Sequence, residues 1–160
     1  PTEHGASIES GTVDKAMLTR GFTPEELVAV VADSGLSYFE PAAEGRWHYS
    51  NTGYILLGLI IEKATGTSYE ENLKERILEP LGLEQTYLQT GQPEAGALPQ
   101  AYYKSPFNFT TGEWNASQGW AAGAVVSTPE EFASFLKALF TGKLECLVCR
   151  DDFRTHLALG

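Results

Sequence analysis

Basic residues are scarce. Lysine and arginine number 11 against 21 aspartate and glutamate, which leaves a formal net charge of -10 over 160 residues. Nucleic acids and anionic membranes are held by basic patches, so neither is an expected partner. Cysteine is rarer still, at two residues, and a disulfide scaffold is excluded. Long apolar runs are missing too. The longest, Tyr54 to Ile61, ends at Glu62 and Lys63, whereas a membrane-spanning helix needs about 20 apolar residues. The chain opens Pro1-Thr2-Glu3-His4, without an initiator Met or an apolar leader stretch, and reads as the start of a processed chain or a fragment. The rest is ordinary for a globular protein, with 42% hydrophobic and 20% charged residues. That composition excludes disorder as the dominant state, and the length suits one domain with a real core.

Three segments share one helix-start pattern. Thr23-Pro24-Glu25-Glu26 places a capping hydroxyl, a Pro at the first helical position and a Glu two positions later. Leu27, Val28, Val30 and Val31 follow as an apolar stripe, and Gly35 is placed to stop the helix. Ser68-Tyr69-Glu70-Glu71 repeats the pattern, with Leu73, Ile77 and Leu78 as the stripe and Pro80 as the breaker. Thr128-Pro129-Glu130-Glu131 repeats it again, with Phe132, Phe135, Leu136 and Leu139 on the apolar face and Gly142 at the end. The helix dipole accounts for the paired glutamates without a metal. A fourth helix is expected from about Thr52 to Ala64; it is apolar almost all round, which places it in the middle of a domain. Gln89 to Gln100, with two Gly and two Pro, reads as a surface connection. Ala101 to Lys104 and Ala122 to Val126 read as short strands, and Glu145 to Gly160 shows no clear period.

The segment richest in chemistry is Pro41 to Tyr54, in which Tyr49-Ser50-Asn51 stands directly before the apolar helix. In an extended segment, side chains two apart point to the same side. A phenol can relay a proton, and a carboxamide can donate to a substrate carbonyl while holding a partner. The bland alternative is a turn in which Asn51 caps the helix and Tyr49 fills the core.

The run P-x-x-x-G-x-x-x-Y-S-N-T-G-Y, the helix after it, the later I-L-E-P-L-G-L-E-Q-T-Y-L and then W-A-A-G-A-V-V-S-T-P-E-E-F follow one another in an order that resembles the serine beta-lactamase and penicillin-binding family. Class C beta-lactamases, D-alanyl-D-alanine carboxypeptidases and related esterases are the nearest branches. The similarity runs from about Phe39 to Leu144. It implies attack on an acyl substrate by the Ser of a Ser-x-x-Lys motif, and an acyl-enzyme that water then opens. Carried across, Tyr49 is the proton relay, and Asn51 contacts the substrate amide and orients the Lys. The resemblance also suggests a location outside the cytoplasm and implies no cofactor.

The chain departs from that pattern at two points. No Ser-x-x-Lys lies between Pro1 and Tyr49, and no His-x-Gly, Lys-Thr-Gly or Lys-Ser-Gly occurs. In the family the nucleophile stands far enough upstream of Tyr-x-Asn to fall before Pro1. Ser134-Phe135-Leu136-Lys137 has the spacing, but it lies downstream, in an amphipathic helix that already explains it. Cys146 and Cys149 have redox or half-zinc spacing, yet there is no second pair to complete four ligands, and the bland reading is two thiols in a tail. The aromatics from Tyr102 to Trp120 can wall a cleft beside Tyr49 or anchor core and loops. On the cleft reading, Trp120 and Tyr102 are substrate-binding candidates.

The sequence therefore predicts a mostly α chain with few short strands: residues 1–144 as the helical subdomain of the beta-lactamase/transpeptidase-like α+β fold, and 145–160 as a tail. The parent would be a serine hydrolase acting on a beta-lactam, a D-Ala-D-Ala peptide or a small ester. The 160 residues alone would be inactive for want of the nucleophile. The alternative is a non-catalytic helical domain that binds a protein partner or a cell-wall ligand. The face around Tyr49, Trp120 and Ala121 to Val126 would be bare and would self-associate or take a complementing fragment.

Overall fold

A computed structural model describes residues 19–35, 37, 39–40, 43–91, 98–102 and 110–144. Helices dominate. In chain order they are α1 (Pro24–Ser34), α2 (Asn51–Thr65), α3 (Tyr69–Leu73), a π-helical segment (Lys74–Leu78), α4 (Glu79–Leu81) and α5 (Pro129–Phe140). Short 3-10 turns cover Thr111–Glu113, Ala116–Gln118 and Trp120–Ala122. Two two-residue strands, β1 (Tyr87–Leu88) and β2 (Val125–Val126), pair antiparallel with Tyr87 opposite Val126. Cys146, Cys149 and the tail 145–160 lie outside the described residues, as do Lys104, Tyr103, Phe107 and Phe109.

The helix starts follow the local pattern closely. Thr23 Oγ1 accepts the Glu26 N–H at 3.2 Å and Glu26 Oε2 accepts the Thr23 N–H at 2.9 Å, a complete capping box. Ser68 and Glu71 form the second box, at 3.1 and 2.9 Å. At Thr128 only half of it forms. The Thr128 hydroxyl caps the Glu131 N–H, but the Glu131 carboxylate accepts the Gln85 N–H at 2.9 and 3.1 Å and the Thr86 hydroxyl instead. Those bonds hold its pKa below the usual carboxylate range, the Thr86 hydroxyl contributing most, then the Gln85 and Glu84 backbone, against desolvation. Glu131 thus ties the start of α5 to the approach to β1.

Pro80 does not end its helix. The π-segment, with the Glu79 N–H bonded to the Lys74 carbonyl, carries the chain past Pro80 to Leu81. The wider turn leaves room for a ring that would press on the carbonyl four residues back in a regular helix. Gly82 ends it in the left-handed region, at φ 66°. The Leu83 N–H returns to the Leu78 carbonyl at 2.9 Å and the Gly82 N–H to that of Glu79 at 3.1 Å, which is a Schellman motif. Leu78 and Leu83, both buried, are its hydrophobic pair.

The chain divides into two compact units: Pro1–Leu57 with Gln89–Ala124, and Gly58–Leu88 with Val125–Gly160. In the first, α1 leads in from Phe22, whose N–H bonds to Ser117 Oγ at 2.9 Å, while Asn115 Nδ2 donates to the Thr19 carbonyl at 3.3 Å. None of the α1 stripe is buried. In the second, Leu78, Leu83, Leu88, Ala138 and Leu144 are the buried apolar residues. Asn72 is buried there as well, donating at 2.9 Å to Thr65 Oγ1, Thr67 Oγ1 and the Ser68 carbonyl, and so closing the α2–α3 turn. No helix of the described residues is long and apolar enough to cross a membrane.

The expected burial of α2 is corrected. Ile55 and Gly58 are buried, but Tyr54, Leu56, Leu57, Ile60 and Ile61 are exposed, Ile60 to 59%. The helix is as apolar as the sequence indicates, and the described residues cover only one side of it.

Candidate active site

Residues 43–50 run as a turn and an extended stretch into α2. The turn closes with the Arg46 N–H on the Ala43 carbonyl at 3.2 Å, and the Arg46 guanidinium lies 5.8 Å from the centre of the Phe39 ring. His48 Nδ1 sits 2.8 Å from the Tyr49 carbonyl. Ser50 supplies the helix cap, its Oγ accepting the Gly53 N–H at a long 3.4 Å. Asn51 is the first helical residue, so its side chain is left for other work.

That work is a hydrogen bond to Tyr49. The phenol donates to Asn51 Oδ1 at 2.7 Å, which occupies the carbonyl of the amide and leaves its NH2 group as donor. The phenol oxygen keeps its lone pairs. Tyr49 is 52% exposed rather than packed in a core, so the capping-turn alternative fails at both residues. The Tyr49 and Tyr54 rings lie 5.9 Å apart, tilted by 41°. Together with Trp47, His48, Ser50, Gly53 and Leu57 they line an open cleft of about 320 Å³. Of these, Trp47, His48, Gly53, Tyr54 and Leu57 were not singled out as site residues. The available signal was spacing: Leu57 stands four residues after Gly53 and three after Tyr54, the offsets that make neighbours on a helix surface.

The other two candidates stand elsewhere. Trp120 is half-buried in a tight 3-10 turn at φ 32°, a region few non-glycine residues enter. The Ala124 N–H donates to its carbonyl at 3.0 Å. At Gly119 an added Cβ would meet the Ala124 nitrogen at 3.3 Å, so the turn is packed tightly on itself. Tyr102 is 76% exposed and bridges Thr110. Neither lines the cleft beside Tyr49, because local turn geometry and the bridge to Thr110 fix where they stand. Val125 is 47% exposed, while Ala124 is buried.

Ser134 donates to the Glu130 carbonyl at 3.0 Å, one turn back in its own helix. No group of His, Cys, Asp or Glu able to hold a metal occurs among the described residues. In the second unit a cleft of about 500 Å³ adjoins Lys74 and Leu88, and an apolar cavity of about 330 Å³ lies among Tyr69, Leu78, Phe132 and Phe135. Burial there pushes the Tyr69 phenol up from its ordinary value.

A Tyr-x-Asn element at the start of an apolar helix, within a mostly helical chain, is the arrangement that the resemblance to beta-lactamases and penicillin-binding proteins implies. The comparisons agree. The beta-lactamase family model matches residues 3–150, and the chain belongs to that family. A penicillin-binding protein of Bacillus subtilis (strain 168) is 51% identical over 63 residues, which is 39% of this chain and 14% of that protein. Among solved structures, a D-stereospecific amidohydrolase from Streptomyces sp. superposes with a TM-score of 0.75 at 31% identity, over 89% of this chain and 42% of that one. An octameric penicillin-binding protein homologue from Pyrococcus abyssi superposes at 0.56 with 30% identity, over 82% of this chain and 30% of that one. The chain thus spans less than half the length of each of these relatives. The fold is the one they share, mostly helical here with few strands.

Proposed function

We propose that this chain is the part of a serine hydrolase, working through an acyl-enzyme, that carries the Tyr-x-Asn element. The observation that carries the proposal is the 2.7 Å bond from the Tyr49 phenol to Asn51 Oδ1 beside an open cleft. On this reading Asn51 donates to the substrate amide and Tyr49 relays a proton to and from the nucleophile. The nucleophile comes from chain outside these 160 residues, since no Ser-x-x-Lys precedes Tyr49. Residues up to Leu144 act as the helical subdomain. The substrate is a beta-lactam, a D-Ala-D-Ala peptide, a small ester or a D-amino acid amide, the last drawn from the name of a D-amino acid amidase from Ochrobactrum anthropi that is 32% identical over 78% of this chain and 37% of that one. Tyr102 stays at the margin of this reading, and Trp120 enters it only through its strained turn.

The test is hydrolysis of nitrocefin, p-nitrophenyl acetate and a D-amino acid amide by the longest product that contains this sequence. Tyr49→Phe lowers kcat there by about 100-fold or more, a proton relay being worth about 10²–10⁴. The 160 residues alone show no turnover. Inactivity of the longer product as well would favour the second reading, a non-catalytic helical domain. The absence of both family motifs from the printed sequence is the feature in its favour.

A further inference from the structure

The second unit carries a cleft of about 500 Å³ that the acyl-enzyme reading does not use. Both β1 residues, Tyr87 and Leu88, line it, and Leu73, Leu78 and Leu83 make the rest of its apolar wall. Glu70, Glu79, Glu84 and Lys74 also line it, all four exposed. Lys74 Nζ stands 3.8 Å from Glu79 Oε1, which leaves Glu70 and Glu84 without a cation in the lining. The strand beside this cleft has one edge in use and one open. The Gln89 N–H donates to the Ala124 carbonyl at 2.8 Å, and the register sets Leu88 opposite Val125. Bonded and non-bonded pairs alternate along an antiparallel ladder, so Leu88 falls in a non-bonded pair and turns its N–H and carbonyl away from β2. No bond to either group is present among the described residues. Leu88 is only 5% exposed, and a buried main-chain donor and acceptor cost free energy until something pairs them. The edge is also held in place in advance, because Glu131 accepts the Gln85 N–H and the Thr86 hydroxyl just before it.

We propose that this cleft docks an extended basic segment of another protein, which adds as a strand to the open edge of β1 at Leu88. Main-chain bonds to the Leu88 N–H and carbonyl supply affinity, as in strand addition to an exposed sheet edge. The residue of the segment that faces Leu88 across the new pair sends its side chain to the same face of the sheet, so an apolar side chain there joins the leucine wall. Lys or Arg residues on either side of it meet Glu70, Glu79 and Glu84. An acidic segment would be opposed by those carboxylates and by the net charge of -10. The strand is ordered before the partner arrives, so its ordering costs nothing on binding. The proposal is independent of the acyl-enzyme reading, since no residue lining the Tyr49 cleft takes part.

The test uses the 160-residue chain and three synthetic peptides. The first is acetyl-Lys-Val-Lys-Leu-Lys-Val-Lys-amide, the second has Glu in place of every Lys, and the third is the basic peptide with its Val and Leu amides N-methylated. Binding is read from the Tyr87 and Leu88 backbone amides in ¹⁵N–¹H spectra. The basic peptide should saturate with a Kd of about 0.1 mM, as suits a short segment on an open cleft. The acidic peptide should bind about tenfold more weakly or worse, since each exposed charge pair contributes only about two- to fivefold. The N-methylated peptide should lose about fivefold, for want of its bond to the Leu88 carbonyl. Glu79→Lys with Glu84→Lys should weaken the basic peptide about tenfold, whereas Glu25→Lys with Glu44→Lys, the same change of net charge away from the cleft, should cost about twofold or less. All four positions are exposed, so the melting temperature should hold in both double variants, and a melt checks this. No binding of the basic peptide at millimolar concentration, or equal affinity for the basic and acidic peptides, would overturn the proposal. So would shifts that spare the Leu88 amide, or equal losses in the two double variants. Full affinity of the N-methylated peptide would overturn the strand addition, because charge alone would then hold the segment.

Discussion

Replacing Asn72 with alanine should cost about 2 kcal/mol, from roughly three lost hydrogen bonds at about 1 kcal/mol net each, less a regained helix propensity of about 0.5 and about 0.5 that water returns at the exposed partners. The count comes from the geometry. Three acceptors stand 2.9 Å from Nδ2, but its two protons satisfy two of them well at a time. Oδ1 adds a third bond, accepting from Arg76 Nε at 3.0 Å. The groups left behind at Thr65, Thr67 and Ser68 are exposed, so water replaces part of the loss and the penalty of a buried orphan does not apply. For a chain of this size about 2 kcal/mol lowers Tm by roughly 4–8 °C. Urea denaturation gives the free energy and a circular dichroism melt the temperature. A loss below about 0.5 kcal/mol, the range of ordinary surface changes, would show that the α2–α3 turn is held by its capping box rather than by Asn72.

Gly82→Ala should cost roughly 1–2 kcal/mol from the left-handed backbone alone, since nothing lies within 4 Å of the position a Cβ would take; a urea midpoint measures it. Ser134→Ala should leave any turnover of a longer product unchanged, because the hydroxyl serves its own helix; loss of turnover would make Ser134-x-x-Lys137 functional after all. Glu71 and Glu131 both have lowered pKa values, Glu71 first through the Ser68 backbone bond and then the Ser68 hydroxyl. A carboxylate with a depressed folded pKa stabilises the fold above its unfolded pKa, and that stability is lost as pH falls through the folded value. Melting temperature should therefore drop as pH falls through and below about 4.3, and Glu131→Gln should flatten that drop; an unchanged acid profile in the variant would refute the role given to Glu131.

What the sequence made legible was local. The Thr23 and Ser68 capping boxes each close within three residues, so the pattern alone determines them. α2, expected from about Thr52 to Ala64 around its apolar run, spans Asn51–Thr65. The half-formed box at Thr128 was not legible, because the partners that divert Glu131, Gln85 and Thr86, are 46 and 45 positions away. The β1–β2 pair was half visible, β2 inside an expected strand and β1 inside a motif quoted for other reasons, since two-residue strands carry no periodicity. Pro80 misled because a π-turn before it and a Schellman motif after it are not encoded by Pro itself. At the site, Tyr49 and Asn51 are joined by a hydrogen bond, as neighbours two apart can be, while Trp120 and Tyr102 are not among the described residues that line the cleft beside Tyr49. Aromatic clustering along the chain says nothing about which rings meet in space.

The apolar surface left on α2 leads to the last prediction. Leu56, Leu57, Ile60 and Ile61 are one or one and a fraction turns apart, neighbours on one side of the helix, and each is exposed by more than a third. Contiguous apolar surface of that kind is uncommon on a monomer. The net charge of -10 opposes nonspecific clumping while permitting an ordered contact. The 160-residue chain should therefore show a weight-average mass that rises with concentration from micromolar to sub-millimolar in light scattering. Ile60→Glu should hold the mass at one chain, because it places a charge where the apolar contact forms and, being on an exposed position, leaves the melt unchanged. Added salt screens the chain's self-repulsion and should strengthen the association of the unmodified chain. A mass independent of concentration at both salt levels would mean that the α2 face is tolerated bare, and the case for self-association would fall with it.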